Sequence, residues 1–313
     1  MSNMATRVVV AVLAIPIIVF LTYAGGFLFY ILVLVISSIA LIEFYSLTER
    51  RGASPLKILG LIFGVFVVSV FFYGEIFESA VSSLQGLITN VRMPSQWQWL
   101  LIVLILFVLL SILTELFRGK GSPIFDLSST FFGVLYISLS FGTLVGIREL
   151  FLKDFPLPRF LSIAGAQSSE VTRELSYRWG GYTVISILGC IWICDTAAQF
   201  VGLRFGKHML FSRVSPNKTW EGAVGGLVAA LVAALLARYV ALPFLSVGES
   251  LVVGVVVGIF GQLGDLAESL LKRDAGVKDS SNIIPGHGGM LDRFDSLLFV
   301  SPILFLYFDF VLF

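Results

Sequence analysis

An all-α, polytopic integral membrane protein is the fold class this sequence predicts, and three observations predict it. Of 313 residues, 57% are hydrophobic and only 13% are charged, about half the charged share of a soluble domain. The mean hydropathy is +0.96, too high for a disordered chain, and the 30 Gly and 10 Pro follow no collagen-like period. The apolar residues also run on for about 17–25 positions at a time, enough to cross roughly 30 Å of hydrocarbon at 1.5 Å per residue. Runs without alternation predict helices, because the strands of a membrane barrel alternate with a period of two.

About nine transmembrane helices follow, at 8–24, 27–45, 57–73, 97–116, 124–147, 181–204, 221–243, 247–271 and 295–313. The first run resembles a signal-peptide core and is read here as a retained span. Gly60 with Gly64, Gly142 with Gly146 and Gly254 with Gly258 are spaced to let helices cross closely in lipid. Trp97 and Trp99 open the fourth span, where an interfacial aromatic belt belongs. Cys190 and Cys194, four apart in one apolar run, read as small hydrophobes on one helix face, not as a disulfide. The 148–180 segment is expected to hold an interfacial helix around 170–177. The chain divides into an N-terminal membrane region of about five spans plus this outer loop, 1–180, and a catalytic membrane region of about four spans, 181–313.

Orientation follows from the basic residues of the loops. With a cytoplasmic N-terminus and an outer C-terminus, Arg92, Arg148, Lys153, Arg159, Arg173, Arg178 and Arg238 lie outside. The remaining fourteen of the 21 Lys and Arg lie inside. A net charge of +1 gives no reason to expect nucleic acid. The cell (inner) membrane, with the chemistry at its cytoplasmic face, is the expected location.

A charge at the middle of a membrane helix costs about 2.5–3.5 kcal/mol, so ionisable residues inside apolar runs mark function. Asp195 is the clearest case. Asp265 and Glu268, three apart, share a helix face with Ser269 and Lys272. Asp292 and Asp295 begin the last span. All fall in the cytoplasmic half, where a bound divalent cation would answer their repulsion, and an all-oxygen set suits Mg²⁺ or Mn²⁺. The alternative is that each acid pairs with a neighbour, for instance Asp292 with Arg293 or Asp265 with Lys272.

Loops suited to phosphate surround these acids. Ser215 reads as an N-cap and Pro216 as the first helical residue, which would open the seventh span with free N–H groups beside Asn217 and Lys218. Between the last two spans, Lys272, Arg273 and Lys278 precede a turn from Pro285 through His287, Gly288 and Gly289, whose backbone can curl around an anion. Neither is a Walker A loop. His208 reads as a structural hydrogen-bonding residue, and His287 as a phosphate contact.

The stretch 269–295 resembles the signature of the phosphatidate cytidylyltransferases, the CDP-diacylglycerol synthases. The positions that carry the resemblance are Ser269, Lys272, Arg273, Lys278, Asp279, His287, Gly288, Gly289, Asp292, Arg293 and Asp295. The 215–222 loop and the Asp195-Thr196 span are also similar to family segments, so the resemblance covers about 181–295. It implies transfer of a cytidylyl group from CTP to phosphatidic acid, with Mg²⁺ required and room for a second cation. On that basis Asp265, Asp292 and Asp295 would hold metal, with Asp195 and Glu268 as further members. Ser215, Asn217, Lys218, Lys272, Arg273, Lys278, His287, Gly288, Gly289 and Arg293 would bind the phosphates. Membrane lipids are the other partners, and a homodimer is left open. The rival readings are a CTP-dependent enzyme acting on an isoprenoid-ether or polyprenol phosphate, and a cation transporter using the intramembrane acids.

Overall fold

The computed structural model describes residues 3–74, 94–119, 121–153 and 169–312. Their architecture is a helical bundle with one small hairpin. Helices α1 (Asn3–Ala24) and α2 (Gly26–Arg50) follow each other directly. Helix α3 (Lys57–Val70) ends in a turn at Phe71 and Phe72, so the third run stops short of the expected residue 73. Helix α4 (Gln96–Arg118) is opened by a capping box between Ser95 and Gln98. Helix α5 (Pro123–Gly133) has Pro in its first turn and passes through a π-helical turn, Val134–Ser138, into α6 (Leu139–Lys153).

Helix α7 (Ser169–Phe205) has 37 residues, about 55 Å of helix. The separate interfacial helix expected around 170–177 is instead the start of this one element. The Gly180-Gly181 pair does not break it, because these two positions pack against Arg148 of α6 and the end of α1. The boundary drawn at 180/181 therefore falls inside a continuous helix.

Strands β1 (Met209–Phe211) and β2 (Ser215–Thr219) pair antiparallel, Met209 opposite Thr219 and Phe211 opposite Ser215. This corrects the expected helix start at Ser215 and Pro216. Each strand of a two-stranded ribbon has one unpaired side, and such edge strands are where a sheet tolerates Pro. Thr219, extended at φ −122°, caps helix α8 (Trp220–Val240) by accepting from the Gly222 N–H. Helix α9 (Val247–Val256) runs through a π-helical turn, Val257–Gly261, into α10 (Gln262–Asp274). Helix α11 (Leu291–Tyr307) ends in a third such turn, Phe308–Leu312. Single π-helical turns inside α-helices often accompany functional sites, and the second lies four residues before Asp265.

Among the described residues seven helical stretches are long and apolar enough to cross a membrane, with two shorter apolar helices, Val9–Ala24 and Lys57–Val70. Together they coincide with the nine apolar runs. One continuous core joins both halves of the chain, with Tyr45, Val67, Phe141, Ile187 and Leu298 among its members. Helix α8 presents Val224, Val228, Val232 and Leu236 outward at a four-residue spacing, a stripe that lipid tolerates and water does not. All six small residues singled out above face a neighbouring helix or side chain.

Candidate active site

Helices α10 and α11 lie against each other at Gly264, where a Cβ would stand 2.6 Å from the Asp295 carbonyl oxygen. Only Gly allows that approach, and it brings two acids of one helix against two of the other. On α10 the expected shared face is realised: Ser269 donates to Asp265 Oδ1 (3.3 Å), and Lys272 Nζ lies 2.5 Å from Glu268 Oε2.

The acids divide into two layers. The rear layer is buried. Lys272 Nζ, 2.6 Å from Asp292 Oδ1, bridges Asp292 to Glu268, which is 0% exposed. Asp292 Oδ2 accepts from the Ser280 N–H (2.9 Å), the Ser280 hydroxyl (2.9 Å) and the Gly289 N–H (2.7 Å). Its oxygens are thus taken by an ammonium, a hydroxyl and two amides, and Lys272 is held between two carboxylates. Asp292 and Lys272, expected to meet metal and phosphate, have these protein partners in the structure.

The front layer is open. Asp195 of α7 is exposed, while Asp265 and Asp295 are partly exposed. The three carboxylates act on one another electrostatically: Asp195 feels Asp265, and Asp295 feels both. Lys218, projecting from β2, reaches Asp265 Oδ2 at 2.5 Å. Arg293 is exposed and within the field of Asp195. Pairing of single acids with cations therefore occurs, but as Lys218 with Asp265 and Lys272 with Asp292, not in the combinations read from neighbouring positions. As the side chains stand, no three His, Cys, Asp or Glu among the described residues are gathered around one point close enough to hold an ion.

The 275–290 loop covers one side. Arg273 donates to the Val277 carbonyl and closes its start (3.0 Å), and Lys278 is exposed. Gly288 takes φ +82°, and the Ile284 and His287 backbones close a short turn. His287 Nδ1 is buried without a hydrogen-bond partner among the described residues. Ser215 and Asn217 lie on β2, with Asn217 exposed. His208 keeps a structural role, its Nδ1 2.6 Å from Glu221 Oε1. Cys190 and Cys194 are free and buried, as expected.

Sequence reasoning passed over Glu43. It lies on α2 and is 2% exposed, yet its carboxylate meets the junction of this loop with α11. The signal was available, since Glu43 is an ionisable residue inside the second apolar run.

Fold and site together define a polytopic membrane protein that presents acids and cations on one open face. The chain matches the cytidylyltransferase family over residues 5–311. It is 32% identical over 317 aligned positions to the phosphatidate cytidylyltransferase of Bacillus subtilis (strain 168), covering 100% of both chains. It is 48% identical over 114 residues to the phosphatidate cytidylyltransferases of Staphylococcus haemolyticus (strain JCSC1435) and Staphylococcus aureus (strain COL), 36% of this chain and 44% of each relative. The chain belongs to the cytidylyltransferase family.

Proposed function

We propose that this protein transfers a cytidylyl group from CTP to phosphatidate, forming CDP-diacylglycerol and pyrophosphate. Full-length similarity to phosphatidate cytidylyltransferases carries the reading, and membership of that family sets it apart from a cation transporter. A phosphate oxygen of phosphatidate attacks the α-phosphorus of CTP, a P–O bond forms, and the bond to the β-phosphate oxygen breaks as pyrophosphate leaves. The attacking oxygen is already ionised at neutral pH, so the site needs positioning and charge neutralisation more than a general base.

The layered acids support a division of labour. Lys218 and Arg293, on the open face, bind phosphate oxygens, aided by Lys278, His287 and the backbone near Gly288. Lys272 holds Asp292 and Glu268 in place from behind. Asp195, Asp265 and Asp295 would hold Mg²⁺. Three hard-oxygen donors from three helices, repelling one another, have the donor chemistry that ion prefers. Such an ion would offset phosphate charge and polarise the α-phosphate. A second cation has the same carboxylates to draw on.

Asp195 lies ten residues before the end of α7, about 15 Å below it. That depth suits a lipid headgroup meeting a water-borne nucleotide at the cytoplasmic side of the cell membrane. The test is CDP-diacylglycerol and pyrophosphate formation by purified protein given phosphatidate, CTP and Mg²⁺. Asp265→Asn should lose about 100-fold or more. Pyrophosphate release without any lipid acceptor would instead identify a nucleotide hydrolase.

A further inference from the structure

We infer that Glu43 is a positioning residue of the reaction, the buried carboxylate that fixes the loop–helix junction at 279–291 and, through it, the acids and cations of α11. This rests on the cytidylyltransferase reading above. Helix α11 has no side-chain cap of its own, since Met290 occupies the N-cap position, and the first N–H groups of a helix need partners from elsewhere. Glu43 supplies them from a helix almost 250 positions earlier. Oε1 accepts from the Met290 N–H (2.9 Å) and the Ser281 hydroxyl (2.6 Å). Oε2 accepts from the Leu291 N–H (2.8 Å) and the Ser280 hydroxyl (3.0 Å).

Ser280 links this anchor to the site. Its hydroxyl oxygen lies 3.0 Å from Glu43 Oε2 and 2.9 Å from Asp292 Oδ2, so its one hydrogen is shared between the two carboxylates, and its N–H donates to Asp292. From Asp292 the path continues to Lys272 and Glu268. Arg293 leaves the same first turn of α11, and Asp295 begins the next. The backbone is pressed onto the carboxylate at Gly289, where a Cβ would stand 2.5 Å from Glu43 Oε2 and 2.0 Å from the Ser280 hydroxyl. Being buried, Glu43 acts on substrate only through these neighbours.

The symmetry of its contacts separates charge from shape. Each oxygen takes one backbone N–H and one hydroxyl. A hydroxyl can turn to accept from an amide, whereas a backbone N–H cannot. Glutamine, whichever way it is flipped, sets its NH₂ against one N–H of the junction. Aspartate is one methylene short but keeps every acceptor. A merely space-filling role makes the isosteric Glu43→Gln the milder change; a positioning role makes Glu43→Asp the milder one.

The experiment measures CDP-diacylglycerol formation by full-length protein in phosphatidate-containing micelles, per mole of monodisperse enzyme, with amide exchange of the 279–291 peptides in parallel. In Glu43→Gln we expect kcat to fall about tenfold or more, with faster exchange confined to 279–291. Glu43→Asp should recover several-fold of that loss. Glu49→Gln, on the same helix but exposed and paired with Lys57, should leave both readouts unchanged. Wild-type kcat in Glu43→Gln, a milder effect from Gln than from Asp, or faster exchange spread over the whole chain would each overturn the inference. An inactive wild type would overturn the reading of function instead; unchanged exchange at 279–291 in Glu43→Gln would then overturn the role of Glu43 separately.

Discussion

At the scale of single residues, one ammonium holds two buried carboxylates. Removing Lys272 leaves Glu268 and Asp292 buried with no cation, and breaking a buried pair from one side costs about 3–5 kcal/mol. Removing the Glu268 charge leaves a one-to-one pair. Lys272→Met should therefore lower the melting temperature in detergent far more than Glu268→Gln, which should stay within about 1 kcal/mol of wild type; equal losses would show that Lys272 is not the hub. In the front layer, Lys218→Ala should raise the KM for CTP about tenfold, the effect of about 1.4 kcal/mol of lost phosphate attraction, while leaving stability nearly unchanged because Lys218 is partly exposed. Titration of initial rate against CTP decides that.

At the scale of elements, the approach of α10 and α11 decides whether a site exists. Gly264→Val places a branched side chain against the Asp295 carbonyl, and overpacking of this kind costs about 1–3 kcal/mol. It should also abolish most activity, because Asp265 and Asp295 move apart together. Gly189 of α7 has nothing within 4 Å of an added Cβ, so Gly189→Ala should be neutral or stabilising by up to about 1 kcal/mol through helix propensity alone. Thermal unfolding and turnover of the two variants side by side test this. The hairpin carries a related lesson. Pro216 and Ser215 fit a helix start by local rule, but Thr219 offers a better cap four residues later, and pairing with Met209–Phe211 leaves the intervening residues extended. Lys218 reaches Asp265 only because of that extension.

At the scale of the whole molecule, the distribution of Lys and Arg predicts that the hairpin and the 275–290 loop face the cytoplasm. A cysteine introduced at Arg213 or Lys278, both exposed, should react with an impermeant maleimide only in inside-out vesicles. The native Cys190 and Cys194, buried in the core, should stay unlabelled in either orientation and serve as an internal control. Labelling in right-side-out vesicles would invert the topology.

The helices were legible in the chain because a span must bury its backbone hydrogen bonds within one segment, which leaves a long apolar run as its mark. The acids of α7, α10 and α11 were legible for a related reason: a charge in such a run has to be compensated. Partner choice between elements was not written there. The i,i+4 pair of Glu268 with Lys272 could be read from spacing, but Lys218 with Asp265, Lys272 with Asp292, and Glu43 beneath the start of α11 each join different elements, and local spacing holds no information about which elements become neighbours. The separation of exposed acids from buried ones is likewise a property of packing, fixed where Gly264 lets two helices touch.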